Sequence, residues 1–262
     1  MSIKIMLDAG HHGNYNRSPV LESYYESHAM WKLHLFLKEE LESYGFTVLT
    51  TRGDMEKDLP LLDRGMAAKG CDVFLSLHSN ACDTESVDRV EIYYPSVGKE
   101  KDDRGLLLGK ALAMAAANCM GVTTHAAKTK ESKVYPNTEY YGVMRGACKA
   151  GVPLYFILEH SFHTNLRAAK WLSEESNLRK LAKEEALVFY RFFTICPKGD
   201  LNGDGRADGE DLALLKKAVL LRAELTEEQK EEIIAVLKKN SVYEKKRVTL
   251  EANERMKRTL IS

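Results

Sequence analysis

Two stretches constrain this chain most, VPLYFILEH (152–160) and DVFLSLHSN (72–80). Each is apolar at successive positions, not at every second one, and each ends in polar residues. A strand with that pattern is covered on both faces, as a central strand of a parallel sheet is. Such a sheet takes helices on both sides. IKIMLD, FTVLTT and VEIYYP read as further strands. Residues 26–44 carry Met30, Leu33, Leu37, Leu41 and Tyr44 at helical spacing, with Gly45 as a stop. LPLLDRGMAAKG reads as a short helix ending at Gly70, residues 104–119 as another, and 166–193 as two closing helices. The expectation is an α/β fold, with a mostly parallel twisted sheet and helices on both faces.

The alternation stops at CPKGDLNGDGRADGED, where Gly and Asp dominate. A boundary near Cys196 divides a domain of residues 1–195 from a smaller, helical C-terminal region of residues 196–262. In that region LALLKKAVL and LTEEQKEEIIAVLKKN read as helices, the second opened by a capping box from Thr226 to Gln229.

Charge and cysteine usage exclude several function classes. Formal net charge is zero, so there is no general electrostatic case for nucleic acid or an anionic membrane. No run approaches the roughly 20 apolar residues of a membrane span. MSIKIMLDAG lacks the features of a signal peptide, so the expectation is synthesis in the cytoplasm without one. Five cysteines (71, 82, 119, 148, 196) with no CxxC argue against a disulfide framework and a cysteine zinc site.

Metal-capable residues fall where a parallel sheet places its ligands, at the carboxyl ends of strands. His11 follows the first strand, His78 ends VFLSLH, Glu159 ends LYFILE, and Glu26 opens the first long helix. Singly, each is unremarkable: a histidine at a strand end is ordinarily solvated or hydrogen-bonded, and Glu26 suits the helix dipole. Together they meet the demand of a catalytic zinc, which takes three His or carboxylate ligands and leaves a position open. A further carboxylate beside it can take a proton from water.

The order of these segments resembles the zinc-dependent N-acetylmuramoyl-L-alanine amidases of the amidase type 3 family. LDAGHHG is similar to that family's Asp-x-Gly-His-Gly-Gly opening. TRGDMEKDLPLLDRGMAAKGCDVFLSLHSNA is similar to its Thr-Arg segment running to Ser-x-His-x-Asn. GVMRGACKAGVPLYFILEHSFHTN is similar to the segment carrying its catalytic glutamate. The resemblance covers roughly residues 3–193. It implies zinc held by His11, Glu26 and His78, with Glu159 as general base. It also implies hydrolysis of the amide between N-acetylmuramic acid and L-alanine in peptidoglycan. By the same resemblance Asn80 and Arg145 are candidate substrate contacts, and His160 is a candidate to touch substrate or orient Glu159. Two departures border the site: His12 replaces a glycine, and NYNRSPVLESYY (14–25) lacks the family's Asp-x-Gly-Ala pattern. His12 is expected on the rim, because neighbouring residues at a strand end point apart. The His-x-x-His of His160 and His163 leaves a second zinc site open as a lesser reading.

DLNGDGRADGED has the spacing of a twelve-residue EF-hand calcium loop. Asp200, Asn202, Asp204, Asp208 and Asp211 would supply side-chain oxygens and Arg206 a backbone carbonyl. Loop and following helix resemble one repeat of a dockerin, which normally has two. Calcium binding is expected, with a cohesin-like partner or self-association as its use. The enzyme reading is an endolysin or autolysin acting on the bacterial cell wall. The alternatives are a zinc hydrolase of the same fold on another amide or peptide, and a non-catalytic wall- or scaffold-binding protein.

Overall fold

The computed structural model of the chain describes residues 3–97, 103–124 and 127–195. The acidic loop at 200–211 and the helices expected after it lie outside the described residues. Six strands form one sheet: β1 (Lys4–Ala9), β2 (Thr47–Thr50), β3 (Val73–Asn80), β4 (Arg89–Tyr93), β5 (Thr123–Thr124) and β6 (Leu154–Phe162). Their order across the sheet is β2-β1-β3-β6-β4-β5. β1 pairs in parallel with β2 and β3, β3 with β6, and β4 with β5, whereas β4 runs antiparallel to β6. The sheet is therefore mixed. The link from β3 to β4 spans only residues 81–88 and holds no helix. A parallel return needs a longer crossover, so the chain turns back at the same edge.

Alternation along the strands sorts two cores. Leu7, Leu75, Leu77, Phe156 and Leu158 share one core with Met30, Leu33, Leu37 and Leu41 of α1 (Glu26–Ser43). Leu108 and Leu112 of α3 (Asp103–Met120), Ala169 and Leu172 of α5 (Leu166–Ser173), and Leu178 and Leu181 of α6 (Glu175–Tyr190) complete it. Met6, Phe74, Tyr155 and Ile157 face the other way, against Val143, Met144 and Ala147 of α4 (Gly142–Lys149). Each such buried large aliphatic or aromatic side chain contributes about 1.5–3 kcal/mol. Among the described residues no helix is long and apolar enough to cross a membrane.

α4 was not anticipated. It is short and rich in small residues, and it forms by packing on α2 (Leu61–Met66). The two helices meet at glycines. A Cβ on Gly65 would lie 2.0 Å from the Val143 carbonyl oxygen, and one on Gly146 would lie 2.1 Å from that of Leu62. This approach sets Tyr141, Gly142 and Val143 as one wall of a cleft at the sheet edge. Gly146→Ala is expected to cost about 1–3 kcal/mol or more by overpacking, read as a thermal midpoint lower by several degrees. Gly53→Ala, whose Cβ meets nothing within 4 Å, serves as control. Equal melting of the two variants would show that the helices do not need this contact.

Candidate active site

The turn after β1 is built around close approach. Gly10 donates its N–H to the Leu77 carbonyl at 2.9 Å. A Cβ there would sit 2.6 Å from the His78 ring, so glycine alone lets the end of β1 lie against β3. His11 follows with φ +60°, a left-handed conformation costing about 1–3 kcal/mol for such a residue. Two buried arginines hold the turn in place. Arg52 donates to the Ala9 carbonyl at 2.8 Å, and Arg64 donates to the carbonyls of Ala9 and His11 at 3.2 and 3.4 Å.

The turn brings His11 to Glu26. His11 Nε2 lies 3.2 Å from Glu26 Oε2, and His78 Nδ1 lies 2.9 Å from Glu26 Oε1. One donor atom from each of the three residues lies within 4.8 Å of the others. Glu26 is only 1% exposed. The Ser79 N–H donates to its Oε1 at 3.0 Å, and the Asn16 amide donates to its Oε2 at 2.7 Å. Burial opposes ionisation of Glu26, but hydrogen bonds and charge from His11 and His78 outweigh it and hold the carboxyl well below its usual range. Burial likewise opposes the charged form of His78, yet Glu26 lifts its pKa to about 9. Two imidazole nitrogens and an ionised carboxylate are a donor set that fits zinc.

Glu159 comes from the neighbouring strand, in register with His78. Its Oε2 is buried with no hydrogen-bond partner, a costly state for a polar atom unless a ligand or water completes it. It borders a cleft of about 340 Å³ that His11, Glu26, His78, Asn80 and His163 also line. Burial pushes its pKa up to about 7, against the attraction of His78 and with repulsion from Glu26 adding.

The other expected contacts divide. Asn80 lines the cleft. His12 faces Asp58 at 3.3 Å, outside the cleft lining, as expected of a rim residue. Arg145 is corrected: its guanidinium donates to the carbonyls of Glu139 and Tyr140 at 3.0 and 2.6 Å and secures the loop before α4. His160 is corrected as a substrate contact. It lies on the opposite face of β6 from Glu159, fully buried, with Nε2 2.7 Å from Glu185 of α6. The same alternation separates it from His163, which turns toward Ser79 and the cleft, so the two do not share a metal. Asn16 and Glu91 escaped the sequence reading. Glu91 is 2% exposed opposite Glu159 on β4, paired to Arg89 and Lys128 at 2.8 and 2.7 Å. A charge inside the apolar run VEIYY was its available signal.

A His/His/Glu donor cluster that fits a cation, with a shielded carboxyl beside it at the open end of an α/β sheet, is consistent with a metal-dependent hydrolase. Residues 5–187 match the family model described as N-acetylmuramoyl-L-alanine amidase, and the chain belongs to that family. It is accordingly a peptidoglycan amidase, a zinc metallohydrolase acting on the cell wall. Solved structures share the fold. The CwlD amidase from Clostridioides difficile, in complex with the GerS lipoprotein, is 20% identical with a TM-score of 0.57, covering 72% of this chain and 98% of that one. The catalytic domain of CwlV, an N-acetylmuramoyl-L-alanine amidase from Bacillus (Paenibacillus) polymyxa var. colistinus, is 20% identical with a TM-score of 0.58, covering 72% and 97%. Cwp6 from Clostridium difficile is 21% identical with a TM-score of 0.56; the match covers 71% of this chain but only 28% of Cwp6. No curated protein matches the chain.

The Glu159 environment has a consequence for folding. A carboxyl whose folded pKa exceeds its unfolded one favours the folded state while protonated, and that contribution is lost as pH rises through the folded pKa. Metal-free protein should therefore lose stability relative to Glu159→Gln as pH rises from 4.5 to about 7. Melting curves of both at pH 5 and pH 8 check this; an unchanged gap would contradict the burial argument.

Proposed function

We propose that His11, Glu26 and His78 hold the zinc and that Glu159 is the general base for hydrolysis of the N-acetylmuramoyl–L-alanine amide. The observation that carries this is the unpartnered, buried Oε2 of Glu159 facing the same cleft as the donor cluster. A bound zinc supplies Lewis acidity, polarising the amide carbonyl and easing ionisation of water. The residues of the chain do the rest. Glu159 accepts the proton of the attacking water and returns it to the leaving amine of L-alanine. Its raised pKa suits both transfers, because a base of about 7 gives up a proton as readily as it takes one near neutral pH. Ser79 N–H fixes the Glu26 carboxylate. Asn80, at the cleft wall, is positioned to meet the peptide backbone. Glu91, neutralised by Arg89 and Lys128, limits the negative charge that Glu159 faces.

Glu159→Gln should keep zinc and lose about 10²–10⁴ in rate, while His11→Ala should lose the metal. Mass spectrometry of peptidoglycan digests, with metal content measured on the same samples, reads both. Free stem peptides with an L-alanine N-terminus and intact glycan strands mark the amidase cut. Near-normal release by Glu159→Gln would remove it from the chemistry.

The match ending at residue 187 supports a catalytic domain closing near residue 195. For residues 196–262 the proposal is one calcium loop, with Asp200, Asn202, Asp204, Asp208 and Asp211 as side-chain ligands and the Arg206 carbonyl completing the set. Calorimetric titration of the zinc-loaded full chain with calcium should show one site that Asp204→Ala abolishes. Identical titrations of the two proteins would refute the loop assignment.

A further inference from the structure

We propose that Asn16 is a fourth protein contact to the metal, made through its amide oxygen; this rests on the zinc site proposed above. Its terminal amide nitrogen lies 2.7 Å from Glu26 Oε2 and 3.0 Å from His11 Nε2, and those two atoms are 3.2 Å apart. Neighbouring ligands around a tetrahedral zinc with bonds of roughly 2.0–2.1 Å stand about 3.3 Å apart. The Asn16 amide thus occupies a corner of the donor cluster and does not merely border it. The two ends of an amide are nearly equal in size, and half a turn exchanges oxygen for nitrogen. The NH2 end faces inward, donating to Glu26 Oε2 and lying against His11 Nε2. A cation held by those two atoms repels the NH2, so the oxygen end turns in.

The backbone holds Asn16 for this purpose. Its φ is +53°, which asparagine tolerates better than most residues. Its carbonyl accepts the N–H of Glu26 at 3.0 Å, so the residue is tied by main chain and side chain to the glutamate it would share the metal with. A catalytic zinc can expand to five ligands, which leaves a place for water beside the amide.

Zinc affinity separates this from a role as hydrogen-bond donor to Glu26. Chelator competition is run on wild type, Asn16→Ala, Asn16→Asp and His11→Ala, with circular dichroism confirming folding. Asn16→Ala should bind zinc at least about tenfold more weakly. Asn16→Asp should regain wild-type affinity or exceed it, because a carboxylate can ligate but has no proton to donate to Glu26. Wild-type affinity in Asn16→Ala, or a loss in Asn16→Asp as large as in Asn16→Ala, would overturn the proposal. A zinc-bound crystal structure with the amide oxygen well outside bonding distance would do the same. If His11→Ala binds zinc like wild type, it is the three-residue site itself that fails.

Discussion

The parallel pairing of β3 with β6 is the constraint on which the site depends. It runs in register from Val73 opposite Leu154 to His78 opposite Glu159, then shifts before Asn80 meets Phe162. Because side chains alternate along a strand, a slip of one residue would exchange Glu159 for His160. Apolar residues on both faces prevent it. Leu154, Phe156 and Leu158 belong to the core under α1, α3 and α6, while Tyr155 and Ile157 belong to the core under α4. The irregularity falls where Ser161 adopts φ +61°, and a bulge at a strand end beside a site commonly re-aims the neighbouring side chains. Glu159 is thus aimed by packing on its N-terminal side and released from strict pairing on its C-terminal side.

Beneath the donor cluster lies a polar layer that decides how His78 is presented. Asp8, fully buried, accepts hydrogen bonds from Thr51 Oγ1 and Ser76 Oγ at 2.7 Å each, with Arg64 3.6 Å away. Because the Ser76 hydroxyl donates to Asp8, its oxygen is free to accept from His78 Nε2 at 3.1 Å. That arrangement holds a proton on Nε2 and turns Nδ1 toward the Glu26 carboxylate, the way an outer hydrogen bond orients an imidazole so that its other nitrogen is the one offered to a partner. The buried charges of Asp8 and Arg64 are weak evidence of stabilisation, since desolvation offsets much of their attraction. Their traceable effect is orientation: one holds Ser76, and the other holds the carbonyls around His11.

Strands β1, β3 and β6 were legible in the sequence because a short, continuous apolar run bounded by polar residues fits a strand buried on both faces and little else. His11, His78 and Glu159 were legible because they punctuate those runs at one end. Glu26 gave the weakest signal of the four, since a glutamate in a first helical turn also suits the helix dipole. The hidden parts have physical reasons. α4 is short, and its glycines read as breakers until α2 is packed against them. His160 and Glu159 are neighbours in sequence, and only the pleat separates them into core and cleft. Asn16 sits in a polar loop where an asparagine is unremarkable, and its reach to Glu26 is fixed by a left-handed backbone that composition does not encode. The departure of residues 14–25 from the family pattern was visible, but not where it led.

That loop also resolves an electrostatic conflict. α1 begins at Glu26, and the N-terminal end of a helix carries partial positive charge with unpaired N–H groups, an unfavourable neighbour for a cation. Tyr25, which precedes the helix, makes no side-chain cap. The loop supplies carbonyls in its place: Asn16 accepts the Glu26 N–H at 3.0 Å, and Tyr15 accepts the Ser27 N–H at 3.4 Å. The helix end is thereby covered by backbone oxygens while the Glu26 side chain, favoured there by the same dipole, projects the opposite charge toward His11 and His78. Shortening or straightening residues 14–16 would therefore expose the helix end and free the Glu26 carboxylate at once. This ties a segment that departs from the family pattern to the His11–Glu26–His78 cluster more closely than its surface position implies.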